Sequence, residues 1–163
     1  MNTDDSAREP AEHVRFAAYL DELEQVSDAD ESSLVGGVLA DPDPVMAGAA
    51  VVRHLDRRAA ELFSTPLWEE WAEAMARVML GHPFPVRRLQ EWSLFRAIAL
   101  GLPWHRDDLL AASDWLQRKA ADGTNPEALQ VLAESGRTKR IRNTARTGLG
   151  RLGTGRTPRA ELR

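Results

Sequence analysis

The sequence predicts an all-α protein of about eight helices, and three observations carry that prediction. Apolar residues recur at steps of three and four residues, which is the spacing of one face of a helix. Breaks rich in proline, glycine and aspartate separate these stretches. No segment alternates β-branched and polar residues between Asn-Gly or Asp-Gly turns, as the strands of a hairpin do. The predicted helices lie at about 10–26, 30–40, 44–62, 66–80, 85–100, 107–120, 126–135 and 138–150.

Proline, glycine and short polar residues set the ends of these helices. Several helices, the third, fifth and seventh among them, begin at a proline, whose missing N–H costs no hydrogen bond in the first turn. Three are followed by a glycine, as expected of a C-terminal cap. The stretch "STP" at 64–66 predicts Ser64 or Thr65 as one N-cap, and Asn125 is predicted as another. The prolines and glycines concerned are Pro44, Pro85, Pro126, Gly81, Gly101 and Gly136.

Apolar stripes predict the buried face of each helix. The fifth helix is apolar nearly all round in its second half, "WSLFRAIAL" at 92–100, which indicates burial between neighbours. The stripes of the first, third and last helices are Val14, Ala17, Ala18, Leu20, Leu23 and Val26; Val45, Ala49, Val52, Leu55, Ala59 and Leu62; and Ile141, Ala145, Leu149 and Leu152.

Five tryptophans are many for a chain of 163 residues. Trp71 and Trp92 lie among other apolar positions, so we expect them in the core. Trp104 follows a proline in a turn, and Trp115 lies beside an aspartate, so both are expected to be partly exposed. Exposed tryptophans stack on bases or anchor a partner protein, which makes these two candidate binding residues.

Charge is unevenly distributed along the chain. The formal net charge is -4, yet residues 1–135 carry 12 Arg/Lys and 24 Asp/Glu, whereas residues 136–163 carry 9 Arg/Lys and one glutamate. Such asymmetry is typical of proteins with a nucleic-acid or acidic partner. The last helix, within "AESGRTKRIRNTARTGLGRL" at 133–152, combines an apolar stripe with a basic flank of Lys139, Arg142 and Arg146.

Several classes of protein are excluded or disfavoured by composition and motif. With no cysteine, disulfides, thiolate nucleophiles and cysteine zinc sites are impossible. "GLGRLG" at 148–153 matches a dinucleotide-binding fingerprint but closes a helix instead of following a strand. "HRDD" at 105–108 is similar to a kinase catalytic loop, but the sequence has neither the glycine-rich loop nor the DFG motif of kinases. The four histidines show no metal-ligand spacing, so we expect no metal, no cofactor and no catalytic residues.

Three stretches, 41–55, 81–95 and 135–149, share one pattern: a turn, then Val or Ile, then a predicted helix. Val45 and Val86 are 41 residues apart, which fits a two-helix repeat. The pattern resembles the HEAT-repeat-like α-solenoid proteins of bacteria, on four matches: Val86-Arg87, Ile141-Arg142, Ala49 and Ala145. It departs from them at Met46, Gln90, Gly81 and Gly136.

The resemblance implies a short α-solenoid of helical pairs over residues 30–150. The residues themselves predict an acidic helix at 1–29 before it and, because 151–163 has no apolar periodicity, a basic, disordered tail after it. The resemblance also implies a non-enzymatic adaptor that binds a protein partner. A nucleic-acid-binding protein is the alternative, including a glycosylase-like repair enzyme whose cleft would hold Trp115 and Asp114, and Trp104 with Asp107 or Asp108. The candidate binding residues are Arg87, Arg88, Trp104, Arg106, Trp115, Arg118, Lys139, Arg142 and Arg146.

The basic last helix therefore has two interpretations. It caps the end of the fold, with its charges paired by the acidic remainder of the chain, or it binds an anionic partner. No stretch reaches the roughly 18 apolar residues of a membrane span, and the polar N-terminus does not resemble a signal peptide. We therefore expect a cytoplasmic protein without a membrane partner.

Overall fold

A computed structural model describes residues 8–155, and all of the regular structure in this range is helical. The prediction of an all-α fold is confirmed. Predictions that fall on residues 1–7 and 156–163 lie outside the described residues. The helices are α1 (Arg8–Gln25), α2 (Glu31–Leu39), α3 (Pro44–Leu62), α4 (Trp68–Val78), α5 (Pro83–Leu100), α6 (Arg106–Ala111), α7 (Asp114–Ala121), α8 (Pro126–Ser135) and α9 (Lys139–Thr154).

The chain forms two compact units, Met1–Gln90 and Glu91–Arg163. In the first unit, α3 packs against α1 and α2, and α2 also packs against α4. Its core contains the buried side chains Leu23, Val35, Val38, Ala47, Ala50, Val51, Leu55, Trp71, Met75 and Met79.

The second unit is built on the pair α8 and α9, with α7 against both and α6 against α7 and α8. Its core contains Ile98, Leu109, Ala120, Ala121, Ala128, Leu129, Val131, Leu132, Ala133, Ile141 and Ala145. The burial predicted for Ile141 and Ala145 is confirmed, and Leu149 is partly buried against the same cluster.

The prediction of a single helix at 107–120 is wrong, because this segment forms two helices, α6 and α7, separated by Ala112 and Ser113. Both residues have extended backbone, and the Ser113 hydroxyl accepts a hydrogen bond from the Leu116 N–H as the N-cap of α7. The amide of Gln117, a fully buried side chain, donates to the carbonyl oxygens of Leu109 and Leu110 at 3.0 and 3.2 Å. Both carbonyls lie at the C-terminal end of α6, where partners within a helix run out, and the Leu109 oxygen also accepts from the Ala112 N–H.

Other local expectations are corrected as well. The cap predicted at Ser64 or Thr65 is wrong, since α4 begins at Trp68, and the Thr65 hydroxyl instead stabilises the preceding turn through Leu62 O. The stripe predicted for α3 is buried at Val52, Leu55, Ala59 and Leu62, but Val45, in the first turn of the helix, is 80% exposed. Val14 and Leu152 are also exposed. The last helix extends to Thr154, four residues beyond its predicted end, so residues 151–154 are helical instead of disordered.

Two of the glycines predicted to end helices adopt the backbone conformation expected of a C-terminal cap. Gly81 and Gly101 have φ values of +86° and +68°, a region that other residues rarely adopt. The three positions proposed as repeat equivalents differ in burial, however: Val45 is exposed, Val86 is half-buried and Ile141 is fully buried.

Candidate functional site

The last helix is fixed to the second unit by its cap and its apolar stripe. The Thr138 hydroxyl accepts from the Ile141 N–H at 3.2 Å, which starts α9. Ile141 and Ala145 then enter the core. A carbon added at Gly148 would lie 3.2 Å from the Leu129 side chain, so this glycine lets α9 approach α8 closely. A rigid core therefore holds the opposite face of α9 toward solvent.

Five cations and no carboxylate lie on α9. One of the five is structural: the half-buried Arg142 donates through its guanidinium to the Gly136 carbonyl oxygen at 2.7 Å. That oxygen lies at the C-terminal end of α8, where carbonyls lack partners within the helix and a cation is favourable. Arg142 therefore joins α9 to the end of α8.

The other four cations are exposed. These are Lys139, Arg140, Arg146 and Arg151. Arg146 donates to the Asn143 side-chain oxygen at 3.1 Å, but among residues 8–155 no carboxylate makes an ion pair with any of the four. Within residues 8–155, the pairing expected from the acidic remainder of the chain is therefore not seen for these four cations.

The exposed cations lie along two edges of one surface. At about 100° per residue, Lys139, Arg142 and Arg146 fall in one sector, and Arg140 and Arg151 fall in another about 100° further round. The strip between the edges is polar or lacks a side chain. We call this surface the basic face of α9; it consists of Lys139, Arg140, Asn143, Arg146, Thr147, Gly150, Arg151 and Thr154, all exposed.

The other predicted binding arginines differ from these four. Arg88 is half-buried with its Nε 3.4 Å from Asp56, whereas Arg87 is exposed. Arg106 is exposed, with a terminal nitrogen 3.9 Å from a Glu134 oxygen, and Arg118 is 3.8 Å from Asp114. Arg88, Arg106 and Arg118 are thus each near a carboxylate of this chain.

Asp114 lies at the first turn of α7, with Arg118 and Arg137 beside it. Its Oδ1 atom is buried and accepts no hydrogen bond from the described residues. Arg137 Nε lies 3.5 Å from that atom, which is within ion-pair range but does not make a hydrogen bond. The contact is therefore an ion pair without a hydrogen bond.

The two candidate tryptophans are partly buried, as predicted. Trp104 packs against the core of the second unit. Trp115 lies edge-on to Trp92, with ring centroids 5.5 Å apart. The Lys119 ammonium sits 4.7 Å from the ring centroids of both Trp92 and Phe95, and 5.9 Å from that of Trp115. The Trp115 ring thus already faces a cation of its own chain.

A buried polar cluster in the first unit was not predicted. The Oε1 atom of Glu31 receives hydrogen bonds from Trp71 Nε1 at 3.0 Å and Arg58 Nε at 3.1 Å, and His54 Nε2 lies 2.7 Å away. Burial alone would raise the pKa of Glu31, but the hydrogen bonds from His54, Arg58 and Trp71 outweigh it and lower the pKa to about 2. Sequence reasoning missed the cluster because its members are up to 40 residues apart and form no local motif.

Comparison with known proteins identifies no relative. The chain matches no protein-family model, no curated protein and no solved structure. Within the described range, no group of three or more His, Asp or Glu side chains is placed to hold a metal ion. None of the helices in that range has the length and apolar character needed to cross a bilayer.

Proposed function

We propose that the chain is a macromolecule-binding protein that contacts an acidic partner through the basic face of α9. The observation that carries the proposal is the set of four exposed cations without a carboxylate partner within the described range. Because the backbone of α9 is already ordered, binding costs only the rotamer freedom of the cationic side chains, which favours affinity. The HEAT-repeat resemblance, which stays a prediction, implies the same class of function.

Local charge also supports the proposal. Residues 91–163 carry 13 Lys/Arg and 8 Asp/Glu, a formal net charge of +5, whereas residues 1–90 carry 8 and 17, a net charge of -9. A chain that is acidic overall therefore has one unit able to attract anionic molecules. Such attraction acts over about 10 Å at ordinary ionic strength and weakens with added salt.

Retention on a heparin column tests the proposal, because heparin is a general polyanion. The wild-type chain is expected to bind at low salt despite its net charge of -4. The triple variant Lys139→Gln, Arg140→Gln and Arg146→Gln is expected to elute in the flow-through.

A charge-matched control uses Arg77→Gln, Arg106→Gln and Arg118→Gln, since these exposed arginines each lie within 4 Å of a carboxylate. This control should elute at nearly the wild-type salt concentration. Equal loss of retention in both triple variants would show that total charge, not the basic face of α9, governs binding, and would refute the proposal.

An adaptor for a protein partner is the second candidate. The observation that favours it is a set of large apolar side chains exposed in the first unit: Val45, Leu67, Leu80 and Phe84. Protein interfaces have apolar centres, so a partner of this kind would cover such groups. Leu80→Ser with Phe84→Ser would then abolish cross-linking to a partner in cells and leave heparin retention unchanged. Equal cross-linking by both forms would contradict this candidate.

A further inference from the structure

The composition of the basic face of α9 distinguishes among acidic partners. Its exposed side chains are arginine, lysine, asparagine and threonine, with Gly150 between them, and the one large apolar side chain at its margin is Leu152, 40% exposed. Protein interfaces are usually centred on aromatic and aliphatic residues, which this surface lacks. Arginine, lysine, asparagine and threonine are the side chains that bind phosphate oxygens of nucleic acids.

The placement of the cations also fits a double helix. One row of cations contains Lys139 and Arg146, and the other contains Arg140 and Arg151, on opposite edges of the exposed surface. An α-helix about 10–12 Å across fits the B-DNA major groove, which is about 12 Å wide and has a phosphate backbone on each side. A helix inserted there has its two edges toward the two backbones. The strip of Asn143, Thr147 and Gly150 then faces the base edges.

The basic face of α9 is also long enough to contact several phosphates. Lys139 and Arg151 are 12 residues apart, which corresponds to about 18 Å along the helix axis. Four cations spread over that length reach several phosphates at once. An extended acidic polypeptide is a single strand of charge, so it would pair with one edge and leave the other unused.

We propose that the basic face of α9 binds double-stranded B-form DNA in the major groove, mainly through phosphate contacts; this inference rests on the proposed function. Lys139, Arg140, Arg146 and Arg151 contact the two backbones. Asn143 and Thr147 lie toward the base edges, and Gly150 permits close approach. Arg142 contributes to the position of the helix through its bond to the Gly136 carbonyl, not to the contact itself.

The salt dependence of binding gives a quantitative test. Affinity for a labelled duplex, measured by fluorescence anisotropy, should fall with salt with a log–log slope of about -3.6, because each of four neutralised phosphates contributes about -0.9. The Lys139, Arg140 and Arg146 to Gln variant should flatten that slope by about 2.7 and weaken binding to every sequence. The Arg77, Arg106 and Arg118 to Gln control should keep the wild-type slope.

Two further probes separate the possible outcomes. Double-stranded RNA should bind more weakly than DNA, because its deep, narrow major groove does not admit a helix. Equal binding to RNA and DNA would overturn the groove assignment. Polyglutamate tests the acidic-protein alternative: if it binds as tightly as the duplex, the DNA inference is refuted while the proposed function survives. If neither polymer binds at low salt, both fail.

Discussion

The Nε2 atom of His54 lies 2.7 Å from the Oε1 atom of Glu31, and both side chains are buried in the first unit. The Nδ1 atom of the same ring lies 3.2 Å from an Arg57 nitrogen. Arginine has no acceptor, so Nδ1 must accept and Nε2 must donate to Glu31. Glu31 therefore organises three donors, His54, Arg58 and Trp71, around one buried carboxylate.

Replacing Glu31 with glutamine tests how much this cluster contributes to stability. Glu31→Gln keeps the shape but removes the buried carboxylate from His54, Trp71 and Arg58, which retains only its more exposed partners Asp28 and Glu61, so the free energy of unfolding should fall by about 3 kcal/mol. Glu61→Gln is the control: Glu61 also binds Arg58 but is half exposed, and its loss should cost about 1 kcal/mol or less. Urea unfolding measures both values, and similar losses in the two variants would contradict the prediction.

The acid sensitivity of the chain should depend on the same carboxylate. The pKa of Glu31 is about 2 in the folded chain, against an ordinary value of 4.5. Because the folded pKa is the lower one, the unfolded chain takes up this proton first as the pH falls. The stabilisation, about 3 kcal/mol at most, is therefore complete above about pH 5 and is lost progressively towards pH 2.

Unfolding of Glu31→Gln across the acid range measures this contribution. The variant should show a flatter pH profile than the wild type. The other carboxyls whose pKa is lowered, Asp41, Asp43 and Glu61, are retained in it, so the difference between the two profiles reports on Glu31. Parallel profiles would show that the Glu31 pKa is not lowered by folding.

Arg142 and Arg146 of α9 should differ in their effect on stability. Arg142 donates to the Gly136 carbonyl at 2.7 Å, and hydrogen bonds from charged donors contribute about 1.5–3 kcal/mol. Arg142→Ala should therefore lower the free energy of unfolding by about 2 kcal/mol. Arg146→Ala, in which only an exposed bond to Asn143 is lost, should change it by less than about 0.5 kcal/mol. An inverted order of the two effects would refute the structural role of Arg142.

Lys119 and Arg118 form a second matched pair, in α7. The Lys119 ammonium lies over the Trp92 and Phe95 rings, and a cation in such a position contributes about 0.5–2 kcal/mol. Lys119→Gln should cost about 1 kcal/mol and alter the fluorescence of the buried Trp92. Arg118→Gln, at an exposed neighbour 3.8 Å from Asp114, should do neither. Unchanged fluorescence and stability in Lys119→Gln would rule out the cation–π contact.

Local chemistry explains which parts of the structure were predictable from sequence. Asn125 caps α8 as predicted, Gly81 adopts positive φ, and Trp92 is buried, because each outcome depends on a residue and its near neighbours. The break at Ser113 was missed because it depends on the side chain of Gln117 and on Glu91, which lies 22 residues earlier and accepts a hydrogen bond from the Ser113 hydroxyl.

The candidate site was predictable in part for the same reason. The spacing of Lys139, Arg142 and Arg146 placed them on one flank of α9, and the structure agrees. Sequence could not separate the structural Arg142 from the exposed Arg146, because that depends on how close the end of α8 lies to α9. The solenoid arrangement and the HEAT-repeat resemblance stay predictions.

Glycine replacement offers the last test, on the junction between α8 and α9. A carbon added at Gly136 would lie 2.6 Å from the Leu132 carbonyl oxygen and 2.8 Å from the Ile141 side chain. Those atoms belong to backbone and to the packed core, so they cannot move away cheaply, and Gly136→Ala should destabilise the chain by about 1–3 kcal/mol. Gly150→Ala is the matched control, because the residue is inside a helix and, apart from its neighbours and the backbone of that helix, no atom lies within 4 Å of the added carbon. There alanine should stabilise the chain by about 0.5–1 kcal/mol. Thermal unfolding of the two variants should shift in opposite directions, and a Gly136→Ala variant as stable as the wild type would show that α8 and α9 do not meet as closely as the structure places them.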